Sequence, residues 1–272
     1  GMHLDLQVWE LWHSPDLNHS SNGSDGVYWT GSLEEFSDMY AVVHRAVKEE
    51  FGDDVHLGGA AFSKPVSVGR FLDRLAGKQV VPDFVSYVVY EDQIAALREF
   101  AEAVNTTVIS RGLDDVEILA SGWNLDLPLP GFDPDFYFLL PQLKFDSMTH
   151  AIQYLAAVQV FNDLKASVAL HEGLRDQPQG LNLGLLSTAF LVKPVTRLRE
   201  ALLAFRRDND RLQLVPEDAI GMAGVNEDRN ELLLLVANAD DFTIPFSVTI
   251  NDLPWDENTG YQWTVSILDD ST

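Results

Sequence analysis

The sequence contains no cysteine, and this absence limits the chemistry available to the protein. Disulfides, thiolate metal sites and thiol nucleophiles are excluded, while the redox compartment stays undetermined. The 7 histidines also lack a metal-ligand spacing such as His-x-x-x-His. We therefore expect neither a metal site nor a cofactor.

Basic residues are scarce: Lys and Arg total 18 against 42 Asp and Glu, which gives a formal net charge of -24. Such an acidic chain repels phosphate backbones and anionic lipid surfaces, so we expect neither nucleic acid nor membrane as a partner. No apolar run reaches the roughly 20 residues that span a bilayer. Because the first residues also lack a basic region and an apolar signal core, we expect a cytoplasmic location.

Short apolar runs alternate with amphipathic stretches, the pattern of β/α units with parallel strands. Strands are predicted at 6–12, 55–61, 84–90, 116–121 and 166–170, and helices at 33–51, 66–76, 93–111, 147–163 and 192–207. After residue 208, segments 220–225, 231–237, 242–250 and 261–268 have the composition of antiparallel strands separated by turns. We therefore predict an α/β protein, with a β/α domain at 1–210 and a small antiparallel β domain at 211–272.

Two helix starts carry local signals. Ser32 precedes Glu35 by three residues, the spacing of a capping box, in which each residue satisfies a free backbone N–H of the other. Pro194 lies in the first turn of the last predicted helix, where no helical hydrogen bond is lost. Both signals support the predicted helix boundaries.

Five groups of residues share their order and character with one family of enzymes. They are Trp9-Glu10-Leu11-Trp12-His13-Ser14-Pro15 followed by Tyr28-Trp29, segments 55–61, 83–90 and 118–124, and Gly184-Leu185-Leu186 followed by Lys193-Pro194. They resemble strands four to seven and the closing segment of glycoside hydrolase family 39, the β-xylosidase and α-iduronidase group. The likeness covers roughly residues 6 to 207. It implies a TIM barrel in which strands one to three are absent, an incomplete barrel of about five β/α units.

The resemblance also indicates which residues occupy the catalytic positions. Ser14 stands where the family has its catalytic acid, and Gly122 stands where it has its nucleophile. Retaining glycosidases need two carboxyl groups about 5 to 5.5 Å apart, one protonated and one ionised. Serine is not an acid near neutral pH, and glycine has no side chain. We therefore expect no catalytic residue at the usual positions.

Two functions stay open at this point. One is a catalytically degenerate relative that binds carbohydrate or serves as an assembly subunit. The other is an active, xylosidase-like glycoside hydrolase whose carboxylates are displaced or supplied by a partner chain. Acidic residues available for a displaced pair include Glu10, Asp16, Glu91, Asp92, Asp126 and Glu172.

Aromatic residues near the predicted strand ends are the best candidates for ligand binding, because flat rings stack on the apolar faces of sugars. His13 and Ser14 are not expected to form a base and nucleophile pair, since adjacent residues of a strand point to opposite faces. The predicted substrate-binding residues are Trp12, His13, Trp29, Tyr90, Trp123, Asn124, His171 and Glu172.

An incomplete barrel has two open sheet edges. Its first and last strands present unpaired N–H and C=O groups on apolar, parallel strands, which proteins rarely leave uncovered. We therefore expect a homodimer, or a separate partner chain, to cover these edges.

Overall fold

The computed structural model describes residues 7–17, 28–91, 93–125, 148–164, 166, 168–171, 194–202, 210–212, 220–226, 228, 230–237, 249, 262 and 264. The chain divides into two compact units. The first comprises Gly1–Pro128 and Val160–Glu172, and the second comprises Leu129–Gln159 and Gly173–Thr272. The domain boundary after residue 210 stays a prediction.

The first unit is built on a five-stranded parallel sheet with the order β1-β2-β3-β4-β5. The strands are β1 Val8–Glu10, β2 His56–Phe62, β3 Phe84–Glu91, β4 Glu117–Leu125 and β5 Val168–His171. The helices between them are α1 Leu33–Phe51, followed by a 3-10 turn at Gly52–Asp54, then α2 Pro65–Ala76, α3 Ile94–Ile109 and α4 Met148–Asp163, of which the part from Val160 onward belongs to this unit. Since strand order follows chain order and every pairing is parallel, the predicted incomplete TIM-barrel-like domain is confirmed.

Helix α1 begins with the predicted capping box. The N–H of Glu35 donates to Oγ of Ser32 at 3.1 Å, and the N–H of Ser32 donates to Oε2 of Glu35 at 2.7 Å. Residues Leu33, Phe36, Tyr40 and His44 recur at helical spacing and are buried. The sequence therefore fixes both the start of α1 and the face that it packs against the sheet.

The core beside β2 is aromatic and tightly packed. The rings of Tyr40 and Phe71 lie 4.9 Å apart, and those of Phe62 and Phe71 lie 5.0 Å apart. Gly58 of β2 lies directly against Phe84, so that a Cβ atom at Gly58 would overlap the carbonyl oxygen and ring of Phe84. Glycine is therefore required where these two strands meet.

The outer helices are joined by forked ion pairs. Arg74 of α2 donates two hydrogen bonds to Asp38 of α1, at 2.7 and 2.8 Å. Arg111, just after α3, donates two to Asp73 of α2, at 2.8 and 2.9 Å. The Arg74 guanidinium holds the pKa of Asp38 below its usual range, and Arg111 does the same for Asp73.

The second unit contains helix α5 Pro194–Leu202 and a three-stranded antiparallel sheet of β6 Asp210–Leu212, β7 Gly221–Val225 and β8 Leu232–Val236. Two of the predicted strands, at 220–225 and 231–237, are confirmed. Strand β6 was missed because three residues beginning with Asp and Arg carry little strand pattern. The strands predicted at 242–250 and 261–268 lie outside the described residues, apart from single positions. Among the described helices, none combines the length and apolar character needed to cross a bilayer.

Candidate functional site

The turn that follows β1 has an unusual backbone. Trp12 has φ 75° and Ser14 has φ 45°, a left-handed conformation that residues with bulky side chains rarely adopt. Hydrogen bonds to β2 flank the turn: the N–H of Leu11 donates to Gly58 O at 2.8 Å, and that of Ser14 donates to Ala60 O at 2.9 Å. Because β2 holds the turn on both sides, the strained conformation is maintained, as at many functional sites.

Ser14 is turned inward by this backbone. Its side chain is 0% exposed, and its hydroxyl donates to the carbonyl oxygen of Ala61 at 3.0 Å. His13 is exposed, and its ring contacts that of Tyr28 at 5.3 Å. His13 and Ser14 therefore face different surroundings and do not form a base and nucleophile pair.

Asp16 fastens the same turn to the end of β2. Its carboxylate accepts hydrogen bonds from the N–H of Ser63 at 3.0 and 3.2 Å and from the Ser63 hydroxyl at 3.0 Å. The side chain is nearly buried, and Lys64 Nζ lies 3.4 Å from the Asp16 carbonyl oxygen. Asp16 thus acts as a structural anchor between the turn and β2.

Four rings gather at this carboxyl-terminal end of β1, and we call them the aromatic platform: Trp12, His13, Tyr28 and Trp29. The rings of Trp12 and Trp29 meet edge to face at 5.4 Å. The indole N–H of Trp12 donates to Tyr28 O at 2.7 Å, and that of Trp29 donates to Ser32 O at 3.0 Å. Trp12 and Tyr28 remain 44% and 42% exposed, so the platform is both fixed and accessible.

The platform is braced from below by α1. The ring of Trp29 contacts that of Phe36 at 5.7 Å, and Phe36 is fully buried in the aromatic core. A continuous series of rings therefore runs from the core to the exposed Trp12. Sequence reasoning did not identify Phe36 as this support, because its helical spacing indicates only a core position.

Gly122 lies in β4 opposite Val88 of β3. A Cβ atom at Gly122 would lie 3.1 Å from Cγ1 of Val88 and 3.8 Å from the Tyr90 hydroxyl. Val88 is buried, whereas Tyr90 is partly exposed near the end of β3. The implied nucleophile position is thus bordered by an isopropyl group and a phenol.

The remaining predicted binding residues lie on the neighbouring strands. Trp123 is only 1% exposed, and its ring packs against Phe161 at 5.1 Å, so it forms part of the core instead of an open stacking surface. Asn124 pairs with Tyr90, and His171 pairs with Trp123, which brings these backbones together at the carboxyl ends of β3, β4 and β5. Glu172 lies outside the described residues. The contact of these four residues with a ligand stays a prediction.

A cavity of about 430 Å³ opens at the other end of β4, where Val116, Glu117 and Leu164 contribute to its wall. Ligands of β/α barrels bind at the carboxyl ends of the strands, so we place the candidate site at the aromatic platform. In the part of the chain that the structure describes, no group of three His, Asp or Glu side chains is arranged to hold a metal ion.

No protein-family model and no curated protein matches the sequence. Solved structures do match the fold. A glucosidase from Croceicoccus marinus aligns with TM-score 0.65 and 22% identity over 85% of this chain and 48% of its own. A GH39 enzyme from Xanthomonas axonopodis pv. citri aligns with TM-score 0.65 and 16% identity over 89% of this chain and 47% of its own. A GH39 β-xylosidase from Caulobacter crescentus aligns with TM-score 0.62 and 18% identity, over 80% and 45% respectively.

These alignments identify the class of fold. The chain has an incomplete TIM-barrel-like fold that is similar to the fold of glycoside hydrolase family 39 enzymes, as its sequence resemblance implied. It spans about half the length of the structures that it matches. At this level of identity the structural likeness establishes the fold alone, because function depends on the residues of the site.

Proposed function

We propose that the protein is a catalytically degenerate relative of family 39 glycosidases that binds carbohydrate through the aromatic platform. The observation that carries this proposal is the state of Ser14, which is fully buried and hydrogen-bonded to Ala61. The sequence resemblance assigns the family's catalytic acid to this position. Gly122, at the position of the nucleophile, adds no functional group. Two facing carboxyl groups, which glycosidic bond hydrolysis requires, are therefore missing from these positions.

The geometry of the platform supports binding. Trp12 presents an exposed indole whose orientation is fixed by its hydrogen bond to Tyr28 O and its contact with Trp29. Sugars bind to such rings through their apolar C–H faces. Because the ring is ordered before a ligand arrives, little conformational entropy is lost on binding.

An active hydrolase with displaced carboxylates is the alternative. Asp16 is engaged by Ser63 and Glu35 by the capping box, so both are committed to structural contacts. Glu10 is exposed at the end of β1. Among the described residues, it is the first candidate for a displaced catalytic carboxylate. If the alternative holds, Glu10→Gln abolishes turnover of aryl glycosides.

Calorimetry with xylo- and gluco-oligosaccharides tests the proposal, since the matched structures include a xylosidase and a glucosidase. We expect measurable binding by the wild type, with affinity reduced at least about tenfold, or about 1.4 kcal/mol, in Trp12→Ala. Phe51→Ala is the control, because Phe51 is an exposed aromatic residue at the end of α1, outside both the platform and β1. Turnover of aryl xylosides and glucosides is measured in parallel over a broad pH range.

Each result has a clear reading. Binding that depends on Trp12 but not on Phe51, without turnover, supports the degenerate binder. Sustained turnover contradicts the proposal and favours the alternative. Unchanged binding by Trp12→Ala also contradicts the proposal, because the ligand would then lie elsewhere on the protein.

We also propose that the protein is a homodimer, associated through the edge of its parallel sheet. Val8 and Trp9 are 59% and 52% exposed although they are adjacent residues of β1 and point to opposite faces. An edge strand with apolar residues on both faces favours association. Light scattering is expected to give a dimer that Val8→Lys dissociates, whereas Val42→Lys, an exposed valine of α1, leaves it intact. A wild-type monomer at all concentrations contradicts this proposal.

A further inference from the structure

We infer that the platform selects neutral sugars and rejects anionic ones such as uronates. This inference rests on the proposed function and concerns the same site. It begins from the hydrogen bonds of the two indoles, both of whose N–H groups already donate to backbone carbonyls of Tyr28 and Ser32. The rings therefore offer their faces to a ligand, and a ring face carries the negative side of the aromatic quadrupole. A carboxylate laid on such a face gains nothing from it.

The carboxylate of Glu35 borders the platform, and that of Glu10 precedes Trp12 closely in the chain. A methyl group added at Gly31 would lie 2.8 Å from Oε2 of Glu35 and 2.9 Å from Nε1 of Trp29, so these two atoms flank the same narrow space. Glu10 ends β1 two residues before Trp12 and is exposed. An anionic ligand on the platform would be repelled by both groups.

Among the described residues, compensating cations do not pair with the platform. Within the residues described, no Lys or Arg side chain forms a hydrogen bond or ion pair with a platform residue. The ammonium of Lys64 lies at the backbone of Asp16, whose carboxylate is adjacent and offsets its charge. The chain as a whole adds a formal charge of -24, which opposes the approach of anions.

The amino-terminal end of α1 would ordinarily favour an anion, because its N–H groups point outward. Here the capping box has filled that position. The N–H of Glu35 is taken by Ser32, and the carboxylate of Glu35 itself lies at the helix start. The protein's own anion thus occupies the place that an acidic sugar would use.

The experiment compares cellotetraose with cellotetraose in which the terminal glucose is replaced by glucuronate. The two ligands then differ only in one carboxylate. At about 20 mM salt we expect the acidic ligand to bind at least about fivefold more weakly, and at about 0.5 M salt we expect the gap to narrow as the charges are screened. Glu10→Gln should raise the ratio of acidic to neutral affinity about twofold. Phe51→Ala, the control, should leave that ratio unchanged.

Equal binding of the two ligands at low salt, or tighter binding of the glucuronate, overturns the inference and leaves carbohydrate binding by the platform intact. Failure of both ligands to bind overturns the proposed function together with the inference. A preference for the neutral ligand that does not respond to salt or to Glu10→Gln would also overturn it, because the discrimination would then have a steric origin.

Discussion

Lys48 and Asp83 form an ion pair of 2.9 Å that joins the end of α1 to the entrances of two strands. Oδ2 of Asp83 also accepts the N–H of Leu57 at 2.7 Å, and Lys48 Nζ donates to Val55 O at 2.9 Å. Both side chains are about three-quarters buried, at 22% and 24% exposed. The pair therefore ties the start of β2 to the residue that precedes β3.

Removal of Asp83 should lower stability through both contacts. We expect Asp83→Ala to reduce the free energy of unfolding by about 2 kcal/mol, since Lys48 loses the nearer of two carboxylates and the Leu57 N–H loses its acceptor. Urea unfolding of Asp83→Ala, Lys48→Met and the double variant would measure the coupling, expected at about 1 kcal/mol. Strict additivity of the two single changes would contradict the pairing.

Restoring the family's acid should fail. Because Ser14 is fully buried, Ser14→Glu places a charge in a buried position, and we expect stability to fall by about 3 kcal/mol or more without any gain of hydrolysis. Ser14→Ala, which loses only the hydrogen bond to Ala61, should cost about 1 kcal/mol. Thermal unfolding and an aryl xyloside assay check both variants. A stable Ser14→Glu protein that hydrolyses substrate would refute the assignment of Ser14 to the turn's structure.

Gly58 should not tolerate a side chain. Its Cβ would overlap Phe84, so Gly58→Ala is expected to destabilise the protein by about 3 kcal/mol or more. Gly77 provides the control, because its φ of -61° suits alanine and its nearest neighbour, Arg74 O, would be 3.5 Å away. Gly77→Ala should change stability by less than about 1 kcal/mol. If the two substitutions had similar effects on chemical unfolding, the close contact between Gly58 of β2 and Phe84 of β3 would be contradicted.

Stability should fall in mild acid because of His44. Burial lowers the pKa of His44 below its ordinary value, although the charge of Asp83 partly opposes the shift. The folded state therefore binds the His44 proton less tightly than the unfolded state, whose pKa is about 6.5. The stability that depends on neutral His44 is fully present above about pH 6.5 and is lost as the pH falls through the lower pKa of the folded state. Urea unfolding between about pH 7 and 5 should show a smaller decline in His44→Gln than in the wild type, and identical slopes would contradict this account.

The fold could be read from the sequence because its signals are local. Apolar runs fixed the five parallel strands to within a few residues, and Ser32 with Glu35 marked the start of α1. The site was less accessible to such reasoning. The left-handed backbone at Trp12 and Ser14 depends on hydrogen bonds to Gly58 and Ala60, which are distant in sequence.

Trp123 illustrates the same limit. An aromatic residue near a strand end can face a ligand or the core, and sequence alternation decides between them only while the strand is regular. In β4 the register with β5 shifts between Ala120 and Trp123, and the strand continues to Leu125. The shift breaks the alternation, and the indole packs against Phe161. No local sequence pattern predicts such an irregularity.

Glu35 has two structural roles, and together they limit which substitutions this position can accept. The same carboxylate closes the first turn of α1 and stands beside Trp29. Replacing it with a basic residue, the simplest route to accepting acidic sugars, would also loosen the start of the helix that braces the platform through Phe36. A variant that accepts acidic sugars would therefore first need another residue to cap α1. Ligand preference and folding cannot change independently at this position.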